Sequence, residues 1–256
     1  ALNHPFEFAG EPLPMHNFDV RERLDRELTV NSYWHSSTVL HLKRAARFFP
    51  AMEKILAEEK VPDDFKYLAV AESSLENAVS PAGARGIWQF MESTAESYGL
   101  EVNREVDERY HLEKSTRAFC AHIKHLKERF GSWPLAAAAY NMGEAALARE
   151  LERQEMTSYY DMNLSEETMR YVFRLVAIKE IVQQPSKYGF YLEPEEKYAP
   201  LDDCREVTVS ESIAKLGAFA KEHGTTYRML KLYNPWLRTY KLSNSSGKTY
   251  TIKVPR

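Results

Sequence analysis

"AVAESSLENAVSPAGARGIWQFM", residues 69–91, puts a glutamate at the end of an apolar run and then enters a loop of Ser, Pro, Ala and Gly. Upstream, Pro62 followed by Asp63 and Asp64 suits a helix start. On that helix Glu72 follows Phe65 by seven residues, Leu68 by four and Ala69 by three, so it shares a face with three apolar side chains. Tyr67, Val70 and Ala71 make the flanks apolar too. The spacing predicts that Glu72 is largely removed from water near the C-terminal end of the helix. Desolvation and the negative end of the helix dipole both disfavour its charge and raise its pKa. A carboxyl held protonated near neutral pH can serve as a general acid. A buried glutamate paired with a cation such as Arg85 or Arg170 fits the same spacing, and position alone leaves both readings open. Glu58, Glu59 and Glu76 make weaker candidates, the first two in a charged run.

The loop that follows is depleted in bulk at Ala78, Ser80, Ala82, Gly83, Ala84 and Gly86. Small residues let a ligand approach the backbone closely, although a plain connector would read similarly. "IWQFM" then offers an aromatic ring, an amide and a thioether, a set able to line a sugar subsite.

Outward from this segment the chain reads as helical. Residues 1–25 form an extended arm with Pro5, Pro12 and Pro14, and the helical pattern begins at Asp19. "SSTVLHLKRAARFF" aligns Val39, Leu42, Ala46 and Phe49, Pro50 interrupts, and "AMEKILAEEK" resumes. In "STAESYG", Ser93 and Glu96 form a capping box and Gly99 ends the turn. A long helix over about 111–130 carries Leu112, Thr116, Phe119, Ile123, Leu126 and Phe130, and Gly131 terminates it. "WPLAAAAYNMG" has Pro134 in its first turn, an alanine run that admits a close neighbour, and Gly143 at its end. Ser165 caps a last helix that stops before Pro185. Residues 26–185 therefore form a mainly α domain of roughly six to nine helices.

Residues 186–204 are proline-rich and aperiodic, as a linker is. In residues 205–256, "EVTV" and "TYTIKV" alternate like strands around two helical patterns, giving a small β-α-α-β module. The fold class is thus mainly α, with a small βααβ module at the C-terminal end.

Composition narrows the partners. With 28% charged residues of mixed sign and a net charge of −3, the chain has no basic footprint for nucleic acid. His122 and His125 lie three apart on a helix, but no third ligand accompanies them, so no metal and no cofactor is expected. Two cysteines, Cys120 and Cys204, are too few for a disulfide framework, and whether they pair is open. No apolar run is long enough to span a membrane. The sequence begins at Ala1 rather than Met, so an export signal or membrane anchor would lie outside it.

"ESSLENAVSPAGARGIWQFM", "WPLAAAAYNMG" and "ETMRYV" resemble, in order, the signature motifs of lytic transglycosylases with the soluble-transglycosylase, lysozyme-like domain (glycoside hydrolase family 23). They span roughly residues 60–180, and "VDERYHLEKSTRAF" resembles the segment leading into that family's long helix. The resemblance implies a lysozyme-like helical fold and cleavage of the β-1,4 MurNAc–GlcNAc bond of peptidoglycan, with 1,6-anhydro-MurNAc ends. It implies that Glu72 is the catalytic carboxyl, and that Ser73, Ser80, Gly86, Trp88, Gln89, Met91, Tyr140, Asn141 and Tyr171 form the saccharide site. Glycan strands are then the partner, and the periplasm or cell envelope the location, with outer-membrane anchoring as one form of it. Without the motifs, Tyr140 and Tyr171 read as core tyrosines and Asn141 as a helix-end cap. The stretch between Glu72 and Ser80 is one residue shorter than usual, and Glu92 stands where the family usually has Pro. "VTVSESIAKLGAFAKEHGTTYRMLKLYNPWL" with "KTYTIKVPR" resembles a LysM domain, which binds N-acetylglucosamine polymers, but lacks the usual Gly-Asp. A module that packs without binding glycan fits equally well. A lysozyme-type hydrolase of the same fold and a non-catalytic peptidoglycan-binding protein are the alternatives to the lytic enzyme.

Overall fold

The computed structural model describes residues 2–256, and helix dominates it. A short hairpin of β1 (Glu7–Phe8) and β2 (Glu11–Pro12) comes first. Then follow α1 (Phe18–Tyr33), α2 (His35–Glu58), α3 (Lys66–Ser73), α4 (Glu92–Ser97), α5 (Leu112–Phe130), α6 (Trp133–Met142), α7 (Glu144–Gln154) and α8 (Glu166–Gln183). The C-terminal region adds β3 (Cys204–Val209), α9 (Leu216–Glu222), α10 (Tyr227–Tyr233) and β4 (Tyr250–Pro255). The mainly α class and the terminal βααβ order are as the sequence predicts.

The chain divides into two compact units. One comprises the chain up to Leu75 together with Phe119–Tyr198; the other comprises Glu76–Ala118 and Ala199–Arg256.

In the first unit α8 is the central element, packed against α1, α3 and α6. Ser165 caps it, its Oγ accepting from the Thr168 amide, and the helix ends just before Pro185. Helix α6 starts at the Ser132 cap with Pro134 in its first turn and ends at Gly143, which has φ +97°. Ala136 to Ala139 are all buried, and their small side chains let neighbouring elements pack closely around α6. Helix α1 is held to α8 by Glu27, 1% exposed, whose Oε1 accepts from Arg170 at 2.6 Å and from Arg26 at 2.8 Å.

Two local expectations change. Pro50 does not interrupt the helix, since α2 runs through it from His35 to Glu58. The ring removes one helical hydrogen bond, a cost of about 3 kcal/mol. Phe49, Met52, Ile55 and Leu56 are buried on either side of it, and burying each side chain contributes about 1.5–3 kcal/mol. Ser93 is not the cap of α4, because that helix starts at Glu92 with Met91 as its cap residue. The aperiodic stretch after α8 lies against the first unit: Phe190 is buried and stacked on His35, and the Tyr198 amide bonds the Lys43 carbonyl.

The second unit is built around the βααβ element. Strands β3 and β4 pair antiparallel from Cys204↔Pro255 to Val209↔Tyr250. Asn234, fully buried, fastens α10 to β4 by donating to the Leu230 and Lys253 carbonyls and accepting from the Lys253 amide. The core of Leu216, Phe219, Leu230, Trp236, Leu237, Ile252 and Val254 also takes in Val106 and Tyr110, from more than ninety residues earlier in the chain. No disulfide joins Cys120 and Cys204. Among the described residues no helix is long and apolar enough to cross a membrane.

Candidate active site

Glu72 sits on the penultimate residue of α3, a helix whose Tyr67, Leu68, Ala69 and Val70 are all buried. The carboxyl is half-buried. The helix cannot continue past it, because Ser74 and Leu75 take left-handed φ values of +55° and +58°. Two consecutive non-glycine residues in that region store strain, and surrounding contacts hold them. Leu75 is 1% exposed, the His41 ring bonds the Ser74 hydroxyl at 3.0 Å, and Arg44 donates to the Ser74 carbonyl at 3.2 Å. His41 is itself buried, which lowers its pKa to about 4 with help from the Arg44 charge, so the ring is neutral near pH 7.

The Tyr171 hydroxyl, on α8, donates to Glu72 Oε1 at 2.5 Å. Burial raises the Glu72 pKa, and the charge of Glu167 adds to it; the Tyr171 bond and the Arg174 charge oppose them, and the upward shift prevails. Glu167, Tyr171 and Arg174 lie at i, i+4 and i+7 on α8, one helix face bearing on one carboxyl. Arg170, suggested by sequence as a partner of Glu72, is instead committed to Glu27. Arg174 and Glu167 were not singled out from the sequence, although their helical spacing from Tyr171 was a usable signal.

Tyr140 and Asn141 occupy the last turns of α6. The Tyr140 ring meets Phe119 edge-on at 5.3 Å and His122 at 5.5 Å, and burial followed by the Glu72 charge pushes its hydroxyl pKa well above the ordinary value. Asn141 accepts from the Thr168 hydroxyl at 2.8 Å and donates to Glu167 at 3.2 Å, tying the end of α6 to the start of α8. Ser73 is buried, and its hydroxyl donates back to the Ala69 carbonyl at 2.9 Å. Of the predicted residues, Glu72 and Tyr171 are in direct contact, and Tyr140 and Asn141 stand on helices packed with α8 or are bonded to it.

The loop residues belong to the second unit. Ser80 closes a tight turn: its amide bonds the Ala84 carbonyl at 2.9 Å, and its hydroxyl accepts from the Ala84 amide at 3.0 Å. Gly86 has φ +82°, and a Cβ there would fall 2.0 Å from the Arg109 carbonyl oxygen. Gln89, also left-handed at φ +55°, donates its side-chain amide to the Ala78 and Gly86 carbonyls at 3.0 and 2.8 Å. Trp88 has no exposed surface and bonds the Thr116 hydroxyl at 2.9 Å, so its indole anchors the loop rather than presenting a face. Met91, 44% exposed, is open to solvent. Arg109, unremarked in the sequence, underlies the loop by donating to the Gly83 and Phe90 carbonyls.

Among the described residues no group of three His, Cys, Asp or Glu side chains is placed to hold a metal. His125 bonds Glu144 at 2.8 Å, and His122 lies beside Tyr140.

Glu72, Tyr140, Asn141 and the loop residues lie within a segment that matches a known domain, and Tyr171 lies just beyond its end. Residues 50–163 match the transglycosylase SLT domain, and residues 205–256 match the soluble lytic transglycosylase C-terminal LysM-like domain. The chain therefore carries an SLT transglycosylase domain followed by a LysM-like domain. It is homologous to membrane-bound lytic murein transglycosylase D of Escherichia coli (strain K12), with 29% identity over 258 residues, covering 97% of this chain and 55% of that protein. A putative tributyltin chloride resistance protein of Alteromonas sp. is 29% identical over 113 residues, covering 42% of this chain and 55% of that protein. The chain spans about half the length of the curated relatives it matches. Among solved structures, the lytic transglycosylase Slt from Pseudomonas aeruginosa, in an inactive mutant form, aligns with 17% identity and a TM-score of 0.42 over 59% of this chain and 26% of that one.

Proposed function

We propose that the protein is a peptidoglycan lytic transglycosylase that cleaves the β-1,4 bond between MurNAc and GlcNAc and leaves a 1,6-anhydro-MurNAc end. The observation that carries this reading is the state of Glu72. It is a half-buried carboxyl at an apolar helix end, its proton affinity raised by burial, with a single tyrosine hydroxyl on one oxygen. Glycosidases commonly use two carboxylates, but one suffices when the substrate supplies the nucleophile. Protonated Glu72 gives its proton to the glycosidic oxygen as the bond from that oxygen to the MurNAc anomeric carbon breaks. The 2-acetamido group supports the developing cation. The Glu72 carboxylate, held by Tyr171, then takes the proton of the MurNAc 6-hydroxyl while that oxygen bonds the anomeric carbon. No water is consumed, and Glu72 ends protonated as it began.

The loop carrying Ser80, Gly86, Gln89 and Met91 is proposed to contact the glycan strand, with Trp88 supporting it from within. Tyr140 and Asn141 are proposed to act on the same substrate. With peptidoglycan as the substrate, the proposed location is the periplasm or cell envelope.

The test is mass spectrometry of the soluble products released from purified peptidoglycan by wild type and Glu72→Gln. Anhydro-ended muropeptides from wild type alone are expected. Reducing ends would instead identify a lysozyme-type hydrolase, with Glu167 as the acidic neighbour to examine. Bound but uncut sacculi would identify a binding protein, and an active Glu72→Gln would remove Glu72 from the mechanism.

A further inference from the structure

We infer that the LysM-like segment braces the residue 78–91 loop, and that Asp107 and Arg109 are the positioning residues through which it does so. The connection is continuous within the second unit. Residues 101–108 fold back on themselves, the Val102↔Asp107 bridge closing the turn and Asn103 accepting from the Glu105 and Val106 amides. The outer edge of this turn pairs with the C-terminal segment as a strand would: Val106 bridges Leu237, the Asp107 amide bonds the Trp236 carbonyl at 2.9 Å, and the Arg238 amide bonds the Glu105 carbonyl at 2.8 Å.

Side chains reinforce the seam. Glu105 accepts from the Ser243 amide and hydroxyl at 2.6 and 3.0 Å, and Glu101 accepts from Tyr250 at 2.9 Å and from Lys248. Arg238 lies over the Tyr110 ring at 3.9 Å, Lys253 pairs with Glu113, and Val106 and Tyr110 are buried in the module's own core.

The other side of the turn reaches the loop. Asp107 and Arg109, about 95% buried, form a two-bond pair at 2.9 and 2.8 Å. The remaining guanidinium nitrogen donates to the Gly83 and Phe90 carbonyls, at 3.4 and 3.3 Å, on either side of Gly86. Gly86 itself sits where the Arg109 carbonyl leaves no room for a Cβ. A buried pair of this kind holds geometry because releasing either partner leaves a charge unpaired away from water. A segment joined this closely does not act as a freely tethered anchor; it sets the shape of the loop whether or not it also binds glycan.

Hydrogen exchange of the intact protein tests this without reference to activity. In Glu105→Ala/Tyr250→Phe, and separately in Asp107→Asn, the Gly86, Gln89 and Phe90 amides should exchange about tenfold faster, with α8 unchanged. Wild-type protection of the loop in both variants would overturn the brace, and so would an equal acceleration in α8, which would mean global rather than local loosening. A kinetic arm, resting on the proposed activity, uses short soluble glycan strands. Loss of a brace raises KM on them, whereas loss of a tether lowers activity on sacculi alone, a result that would also overturn the inference. Inactive wild type would sink the proposed function and leave the exchange result standing.

Discussion

The end of α3 and the residue 78–91 loop, consecutive in the chain, are organised in opposite ways. At the end of α3 one ionisable group is controlled by its medium: burial raises the proton affinity of Glu72, and Tyr171 opposes it through one hydrogen bond. In the loop, side-chain polar groups are committed to the backbone instead. Ser80 and Gln89 use their polar groups on neighbouring backbone atoms, and Arg109 fixes two carbonyls from beneath. Under the proposed mechanism the difference separates two tasks. A group that must give up and retake a proton is best left with few bonds, so that neither state is locked in. A surface that must present one shape to a polymer gains from having its own polar atoms already satisfied.

The sharpest way to break this comparison is at Gly86. Gly86→Ala puts a methyl 2.0 Å from the Arg109 carbonyl oxygen in a left-handed backbone. Strain and overpacking together should cost about 3 kcal/mol, read as a lower denaturation midpoint at unchanged m-value. A stability loss within error of wild type would mean that the loop adapts, and that the rigid half of the comparison is wrong.

A smaller effect is expected at the other pole. Tyr171→Phe removes the bond that favours the ionised form of Glu72, so the pKa of the carboxyl should rise further. The alkaline limb of the pH–rate profile, where the general acid is lost, should move to higher pH. With no hydroxyl to hold the carboxylate after the first step, kcat should fall roughly tenfold, in keeping with a charge-assisted bond. A fall in kcat with an unmoved limb would assign Tyr171 to packing rather than to proton affinity.

Much of this arrangement was legible in the sequence where the cause is local. Ser165 and Pro185 bound α8 as read, because a cap and a proline act within one turn. Glu72 stood out because a charged residue at apolar helical spacing is a local anomaly. The Glu72–Tyr171 bond spans 99 residues, and only the family resemblance linked those two positions. Trp88 shows the limit of composition: a ring beside small residues reads equally well as a sugar platform or as an anchor, and only its burial decides. Pro50 was misread because a local breaker was outweighed by tertiary burial on both sides of it. The sharing of Val106 and Tyr110 with the C-terminal core had no periodic signature at all, since each is one apolar residue in a charged stretch.

The smallest effect concerns stability rather than rate, and its sign follows from proton linkage. The ordinary carboxyl value is 4.5, and the folded protein holds the Glu72 proton more tightly than that. Below pH 4.5 the folded and unfolded chains both carry the proton, and ionisation contributes nothing to the difference between them. As pH rises through the interval up to the raised folded pKa, the unfolded chain ionises first, so wild type loses stability. Above the folded pKa the loss is complete and constant. Glu72→Gln cannot ionise, and its amide oxygen can still accept from Tyr171, so it is spared that loss. The variant should therefore melt above wild type at pH 7, and the gap should close on acidification toward pH 4. A gap that is constant with pH would show that Glu72 is not held at a raised proton affinity. A gap of the opposite sign at pH 7 would mean that the folded state prefers the anion, and the acid-first order of the proposed mechanism would have to be reversed.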